Sequence, residues 1–489
     1  MLCHHHHRHP HSGVEAFDGP LIRLPGHGGG GGGSSTTTHT DHVEGHFDED
    51  DDDDDDGEVV SGSERILSVN DYGAIGDGSY NYINSFFLVS FFQAFKDAWY
   101  AACSSTSQKA ILKIPEKRKY MVRPTDFAGP CSTNVTLRIL GSILAPQNPV
   151  IWRKQNPRRW LYFHGISHLA LRGRGVGIVD AMGEKWWAKS CKIRKINVRN
   201  AKKYKYLKHT CISVSARCMQ ALTFHKCRHL KVRNMTLLNS PHSHIAFAGC
   251  FHVKASGLKL IAPASSPDTD GIHISGSDTV YVQNTEIATG DDCISIGPGS
   301  NKVRIRNVAC GPGHGISIGA LGKLNTWAKV SDVQVSGAVL TNTKNGVRIK
   351  TWQGGQGYVD DIWFSNITMK NVSNPIIIDQ YYCDTLQPCK NQTGAVKVSK
   401  VSFMNITGTS ATTHAMRFAC SDTFPCHGIH LQDIRLTLDS GWNATSFCWK
   451  ASGFTYGLVD PPSCLALEDD YPVIINNPHS SGSLLLQPQ

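Results

Sequence analysis

Residues with acid/base chemistry recur at a fixed interval in the C-terminal half of the chain. Asp270 closes the run SPDTD, Asp291 and Asp292 lie in GDDC, His314 lies in GHG, and the basic triplet RIK occupies 348–350. The steps from Asp270 to Asp292 and from Asp292 to His314 are both 22 residues. A constant step of this size is typical of a repeating fold that stacks equivalent positions. We therefore expect these side chains to lie close together.

These side chains are of the types needed to break a glycosidic bond. One carboxylic acid must protonate the leaving oxygen, and one carboxylate must activate water or attack the sugar. Clustered aspartates can fill both roles, because like charges at close range raise the pKa of at least one of them. His314 could tune the proton of that acid, while Arg348 and Lys350 would hold substrate carboxylates. The pattern predicts cleavage of a uronic acid polymer.

Each motif taken alone has a simpler structural interpretation. Asp-Asp after Gly is often only a turn, and Gly-His-Gly is usually a tight turn. Arg-Ile-Lys is usually a solvated strand edge. The joint occurrence of the motifs on one interval favours the chemical interpretation.

A five-residue phrase, apolar-x-apolar-x-Asn/Gly, recurs through the body of the chain. Alternation with period two predicts a half-buried strand, and the closing residue tolerates a left-handed turn. Strands repeating every 20 to 30 residues without helical periods favour a solenoid, and a parallel β-helix fits best. The pattern of leucine-rich repeats is absent, and an antiparallel sandwich remains an alternative. The phrases begin at Leu169, Leu230, Val253, Val280, Val303, Val333, Ile362, Val401 and Ile429.

The charge of the chain is divided unevenly. Residues 1–64 are rich in His, Gly and Asp and carry 15 acidic and 2 basic residues, which leaves a net charge of +22 for the remainder. The first segment has few apolar residues to bury, so we expect it to be disordered, with a catalytic domain at 65–470 and a flexible tail at 471–489. A body this basic favours a polyanionic partner. Nucleic acid is not expected, because no nucleic-acid-binding signature occurs.

The cysteines and glycosylation sequons indicate the secretory route. Sixteen cysteines without a CxxC pair favour local disulfide loops over metal sites. The candidate pairs are Cys293 with Cys310, Cys383 with Cys389, Cys420 with Cys426, and Cys448 with Cys464. The seven sequons lie at Asn134, Asn234, Asn366, Asn371, Asn391, Asn405 and Asn443. No apolar core of a signal peptide follows Met1, which indicates an incomplete gene model, and no membrane span is expected.

The motif set resembles that of the polygalacturonases of glycoside hydrolase family 28. The amino-acid sequences of residues 310–319 and 348–354 are similar to those of the plant branch of the family. The resemblance runs from about 69 to 464. It implies an all-β, right-handed, single-stranded parallel β-helix that hydrolyses α-1,4-galacturonan (pectin) with inversion, as a secreted cell-wall monomer without cofactor or metal. By the same resemblance, Asp291 is the general acid, Asp270 and Asp292 activate water, and His314 supports the acid. Arg348, Lys350 and Tyr382 bind the substrate.

Three departures from the family pattern bear on activity. Asp268 replaces the usual asparagine of the first motif and adds a fourth carboxylate near the substrate. Residues 79–92 replace a short acidic stretch before the first helix and resemble translated intron, and the basic stretch 192–220 is longer than the family's loop. Two alternatives therefore stay open: a pectate-lyase-like enzyme that uses Ca²⁺, and an inactive pectin-binding paralogue or defective gene product.

Overall fold

The apolar phrases form the walls of a solenoid. In the computed structural model of the protein, the residues described are 64–78, 85–148, 152, 159–188, 190, 220–385 and 388–467. Their strands pair in parallel throughout, each with the equivalent strand one turn away, and build a right-handed parallel β-helix. The predicted fold class is confirmed. Apart from Glu64 and Gln220, the segments 1–64, 192–220 and 471–489 lie outside the described residues.

One sheet of the solenoid has eleven strands, which we call sheet B. Its neighbours in space follow the order of the chain, so each turn contributes one strand. The strands are β4 (Thr125–Ala128), β7 (Arg159–His164), β9 (Gln220–His225), β11 (Ile245–Ala248), β14 (Ile272–Ser275), β16 (Ile294–Ile296), β18 (Ile316–Leu321), β21 (Asn345–Thr351), β23 (Asn374–Asp379), β25 (His414–Ala419) and β27 (Thr445–Trp449).

The remaining strands form sheet A, which contains the repeated phrases. They are β1 (Glu64–Ser68), β2 (Lys109–Ile114), β3 (Lys119–Met121), β5 (Asn134–Ile139), β6 (Ser142–Leu144), β8 (Leu169–Asp180), β10 (Arg228–Leu238), β12 (Phe251–Ser256), β13 (Lys259–Ile261), β15 (Asp278–Ala288), β17 (Ser300–Cys310), β19 (Trp327–Ser336), β20 (Val339–Thr341), β22 (Gln356–Val372), β24 (Lys397–Ser410), β26 (Cys426–Leu438) and β28 (Ala451–Asp460).

The α-helices are few in the described residues, and they lie in the N-terminal half of the chain. Helix α1 (Ser85–Cys103) packs Trp99 edge-on against Phe127 and Phe163, and the indole donates to the Ala128 carbonyl at 3.0 Å. Helix α2 spans Glu184–Trp187, and short 3-10 helices span Val69–Tyr72 and Lys323–Asn325. Because α1 begins at Ser85, most of the anomalous stretch 79–92 is helical backbone. Residues 79–84 lie outside the described part.

The interior of the solenoid is filled by one apolar residue stacked on the next. Phe127, Phe163, Phe224 and Phe247 stack on successive turns with ring centroids 4.6, 5.2 and 5.6 Å apart. These spacings are close to the separation of about 4.8 Å between neighbouring strands. Stacking of like residues therefore keeps the turns in register, because a shift of one residue would turn the whole row to solvent.

Asparagines at the end of the phrase stack in the same manner. Asn284, Asn307, Asn366 and Asn405 all have φ near +50°, as the pattern predicted, and the strands continue past them as a bend in sheet A. The Asn405 amide donates to Asn366 Oδ1 at 2.8 Å, and that of Asn307 donates to Asn284 Oδ1 at 3.3 Å. Two of these residues are also sequon asparagines. Their sequons therefore have a structural explanation independent of glycosylation.

Disulfides close local loops around the solenoid. The four candidate pairs are bonded in the structure, from Cys293–Cys310 to Cys448–Cys464. A fifth bond joins Cys103, at the end of α1, to Cys131. The sequence analysis missed it because 28 residues separate its cysteines. Buried Cys227 and Cys250 keep free thiols.

Candidate active site

The acid/base candidates lie on loops that enter consecutive strands of sheet B. In β14, β16 and β18, Ile272 pairs with Ile294 and Ile294 pairs with Ile316, both at the 22-residue step. The loops before these strands are also joined, because Gly271 N donates to Asp292 O at 3.0 Å and His314 N donates to Asp291 O at 2.8 Å. The fixed spacing in sequence therefore brings the motifs together in space.

Two motif glycines permit this close approach of neighbouring turns. A Cβ at Gly290 would overlap the Ser266 carbonyl oxygen, and a Cβ at Gly315 would overlap the carbonyl oxygens of Asn345 and Gly346. Gly315 also has a φ of +83°, which side chains rarely adopt. Larger residues at either position would push the catalytic loops apart.

Asp292 is fully enclosed by polar partners. Arg348 Nη2 donates to its Oδ1 at 2.7 Å and Lys350 Nζ donates to its Oδ2 at 2.7 Å. Ser317 Oγ also donates to Oδ1, at 2.9 Å. Burial alone would raise the pKa of Asp292, but the adjacent Lys350 and Arg348 hold it below its ordinary value. Asp292 is therefore the ionised carboxylate of the site.

The two cations thus have a contact that the sequence analysis did not foresee. Arg348 and Lys350 are two residues apart on β21 and therefore point to the same side of the strand, as their spacing predicted. Both are buried and both bind Asp292. Guanidinium and ammonium groups carry five and three donors, so donors remain for a substrate carboxylate after Asp292 is bound.

Asp291 has different neighbours from Asp292. Its Oδ1 lies 3.0 Å from His314 Nδ1 and accepts from the Asp292 backbone N–H at 2.9 Å. His314 is partly exposed, whereas Asp291 is buried. The imidazole therefore connects the Asp291 carboxyl to solvent and can exchange a proton with it.

Asp270 lies where its ionised form is disfavoured. Burial, followed by the charges of Asp291 and Asp292, raises the pKa of Asp270 well above its ordinary value. Its Oδ2 accepts from Ser295 Oγ at 2.8 Å, and Ser295 Oγ lies 2.8 Å from His273 Nδ1. Burial lowers the pKa of His273 to about 4, so this ring is neutral at neutral pH.

Substitution of Asp270 by Asn should stabilise the fold at neutral pH. A raised pKa means that ionisation of Asp270 opposes folding, and the isosteric amide removes that opposition. The gain in Tm should be largest above the folded-state pKa and vanish as the pH falls below about 3.9, the ordinary aspartate value. Thermal unfolding at pH 7 and at acid pH measures it, with exposed Asp126→Asn as the control. Equal Tm values at pH 7 would contradict the assignment.

The two remaining candidates lie beside the cluster. Asp268 is buried with a φ of 58°, a left-handed conformation that Asp tolerates, as does the asparagine usual at this position. Tyr382 is buried edge-on against Trp352 at 5.8 Å, and Lys350 Nζ lies 5.4 Å from its ring centroid. Tyr382 is thus placed near Lys350, whereas Asp268 lies two residues before Asp270 on the loop that enters β14.

Sequence reasoning named Arg348 but missed three polar residues in register with it on the outer face of sheet B. His273, Ser295, Ser317 and Arg348 occupy the same register position on successive strands. Each lies between two buried aliphatic residues, as in Ile272-His273-Ile274. The signal for His273, Ser295 and Ser317 was an apolar-polar-apolar triplet directly after each of the first three motifs. It identifies the floor of the site.

One group in the described residues has the spacing of a metal site: Asp291, Asp292 and His314, whose ligand atoms lie within 4.8 Å of one another. Both oxygens of Asp292 already accept from cationic side chains. A divalent cation would have to displace them or accept two positive neighbours. The donor set therefore does not favour a resident metal.

A parallel β-helix with clustered aspartates on one face fits a glycoside hydrolase, because that reaction needs paired carboxyl groups. A sequence model of glycosyl hydrolases family 28 matches residues 103–453. The chain belongs to that family, and the predicted enzyme class is confirmed. No helix in the described part has the length and hydropathy to cross a bilayer.

Several plant proteins resemble the chain over most of its length. A probable polygalacturonase of Arabidopsis thaliana is 48% identical over 405 residues, covering 83% of this chain and 85% of the relative. The polygalacturonase of Persea americana is 44% identical, covering 80% and 78%. Polygalacturonase-2 of Solanum lycopersicum is 40% identical, covering 83% and 82%.

Solved structures share the fold at low identity. An exopolygalacturonase of Thermotoga maritima aligns with a TM-score of 0.64 at 19% identity, covering 81% of this chain and 92% of its own. An endo-xylogalacturonan hydrolase of Aspergillus tubingensis aligns with a TM-score of 0.64 at 20% identity, covering 81% and 100%. These likenesses support the β-helix assignment.

Proposed function

We propose that the protein is a polygalacturonase that hydrolyses α-1,4-galacturonosyl linkages of pectin. The observation that carries the proposal is the buried cluster in which Asp292 is ionised between Arg348 and Lys350 while Asp291 contacts His314. The curated plant relatives are named polygalacturonases. A cationic floor suits a polymer that carries one carboxylate per sugar.

The reaction is a single displacement by water. Asp291, protonated, donates its proton to the glycosidic oxygen as that bond breaks. Asp292 accepts a proton from the water whose oxygen attacks the anomeric carbon from the opposite face. Asp292 then releases its proton to solvent and His314 passes a proton from solvent to Asp291, which restores the starting state. Arg348 and Lys350 hold the substrate carboxylate throughout.

Asp270 has a narrower role than the family resemblance gives it. The raised pKa of Asp270 favours its protonated form, which has no carboxylate available to take a proton from water, whereas Asp292 is ionised. We therefore assign the proton transfer from water to Asp292 and the orientation of that water to Asp270. Opposite environments for neighbouring carboxyls are the usual means of separating acid from base.

We infer that the protein acts outside the cell, in the wall, as a monomer. Five disulfides in the described residues support an oxidising compartment. All seven sequon asparagines are exposed. Asn366 and Asn405, however, hydrogen-bond to each other at the bend of sheet A, so the number of sequons is weaker evidence for glycosylation. The disulfides therefore support secretion more strongly than the sequons do.

Product analysis separates hydrolysis from elimination. On polygalacturonate, we expect new reducing ends without ultraviolet-absorbing unsaturated ends, at a rate unchanged by a chelator, because cations already occupy Asp292. A calcium-dependent lyase would produce unsaturated ends and lose its activity in chelator. That outcome, or the absence of any cleavage, would overturn the proposal.

A further inference from the structure

The outer face of sheet B continues beyond the catalytic cluster toward its C-terminal edge. One column of residues runs Arg348, Ile377, Arg417 and Phe447 on β21, β23, β25 and β27. The neighbouring column runs from Lys350 through Asp379 and Ala419 to Trp449. Both columns start at the cations that bind Asp292. A polymer lying along this face meets Arg417 and the two aromatic side chains next.

The end of these columns is an exposed aromatic surface. Phe447 is 38% exposed and Trp449 is 49% exposed. The two share β27 and alternate with Cys448, so they point to the same side of the sheet. Two exposed aromatic side chains side by side form an apolar patch of the kind that marks ligand sites, whereas a single exposed ring is common. The ring faces suit the apolar face of a sugar.

Hydrogen bonds fix the indole of Trp449. Its Nε1 donates to Asp422 Oδ1 at 2.9 Å, and Tyr381 Oη donates to Asp422 Oδ2 at 2.8 Å. The Tyr381 backbone N–H in turn donates to Asp379 Oδ1 at 3.0 Å. These hydrogen bonds connect Asp379, which pairs with Lys350 on the neighbouring strand, to Trp449 in the aromatic surface. The ring is therefore held in place before any ligand arrives.

A cation lies beside the aromatic surface. Arg417 Cζ is 5.8 Å from the centroid of the Phe447 ring. Its guanidinium also lies near Asp379, a carboxyl whose pKa burial raises despite the opposing charge of Arg417. An anionic sugar would thus find a ring face and a guanidinium side by side.

We propose that Arg417, Phe447 and Trp449 form a distal subsite that binds a uronate unit of the polymer beyond the cleavage point. The subsite lies two to three strands from Arg348, or about 10 to 14 Å at about 4.8 Å per strand. Arg417 binds the carboxylate and the two rings bind the sugar face. This inference rests on the proposed function, because it extends the same substrate along the same face.

Binding measured against chain length tests the subsite. Oligogalacturonates of increasing length are titrated into Asp291→Asn protein, in which hydrolysis is suppressed, and into the same protein with Arg417→Gln, Phe447→Ala or Trp449→Ala. For long oligomers, Arg417→Gln should raise Kd roughly tenfold. For the shortest oligomer that the wild type cleaves, Kd should stay unchanged. In the active enzyme, Arg417→Gln should raise KM for the polymer with little change in kcat.

Matched controls lie on the other sheet. Arg435→Gln removes an exposed guanidinium from β26, and Trp327→Ala removes an indole that is 61% exposed at the start of β19. Neither should alter Kd for any length. Equal losses for short and long oligomers, or no loss beyond the controls, would overturn the subsite.

Failure of the subsite and failure of the proposed function give different results. A wild-type protein that releases no reducing ends from polygalacturonate contradicts the function itself. An active wild type whose length dependence survives Arg417→Gln and Phe447→Ala contradicts only the subsite. If those variants instead change the sedimentation of the protein without changing sugar binding, the surface is a contact between copies, and the subsite is wrong.

Discussion

Substitution of Asp291 by Asn is expected to lower kcat on polygalacturonate by roughly a thousandfold, the usual contribution of a general acid. The amide cannot donate a proton to the leaving oxygen, so bond cleavage loses its acid. The fold should be retained, because Asn can still accept from the Asp292 backbone N–H. Initial rates of reducing-end release, with thermal unfolding in parallel, measure both effects.

Asp126→Asn is the matched control for this substitution, because Asp126 is an exposed aspartate on β4 of the same sheet. Its rate should equal that of the wild type. An Asp291→Asn enzyme with the wild-type rate would show that Asp291 is not the acid.

Substitution of Asp292 by Asn should abolish activity and also destabilise the protein by about 3–5 kcal/mol, the cost of removing one partner from a buried ion pair. The amide leaves Arg348 and Lys350 buried without their counter-charge. Denaturant unfolding at neutral pH measures the loss. As the pH falls through the lowered pKa of Asp292 in the folded protein, the wild type should lose the same contribution.

A double-mutant cycle separates the ion pair from other effects of the change. Lys350→Met in the Asp292→Asn background should cost less than Lys350→Met alone, because the partner carboxylate is already absent. Additive losses would mean that the pair between Lys350 and Asp292 does not stabilise the fold. Asp270→Asn provides the opposite expectation at the same site, a gain in stability.

The stacking of the site could be predicted from sequence because it depends on counting. Ile272, Ile294 and Ile316 are separated by the same step as the motifs before them, so the register of the strands determines the position of the loops. The residues with positive φ could also be predicted, since asparagines such as Asn284 and Asn307 occupy those positions. Local periodicity was sufficient for both.

Contacts between distant side chains were not accessible in this way. The binding of Asp292 by Arg348 and Lys350 depends on which face of β21 the cations share with an earlier loop. A second set of residues with positive φ includes His168, His229 and His252, whose rings stack on one another. Later members of this set are of other residue types, so no repeated residue marks these positions in the sequence. Such contacts depend on both the strand register and the side-chain rotamers. The spacing of residues in the sequence determines the register but not the rotamers.

The configuration of the first product tests the central claim most directly. Digestion of polygalacturonate by the wild-type enzyme is followed by proton NMR before the new ends equilibrate. Attack by an Asp292-activated water opposite a leaving oxygen protonated by Asp291 predicts saturated products whose reducing ends appear first in the β configuration. Ends that appear first as the α anomer, or unsaturated ends, would contradict it.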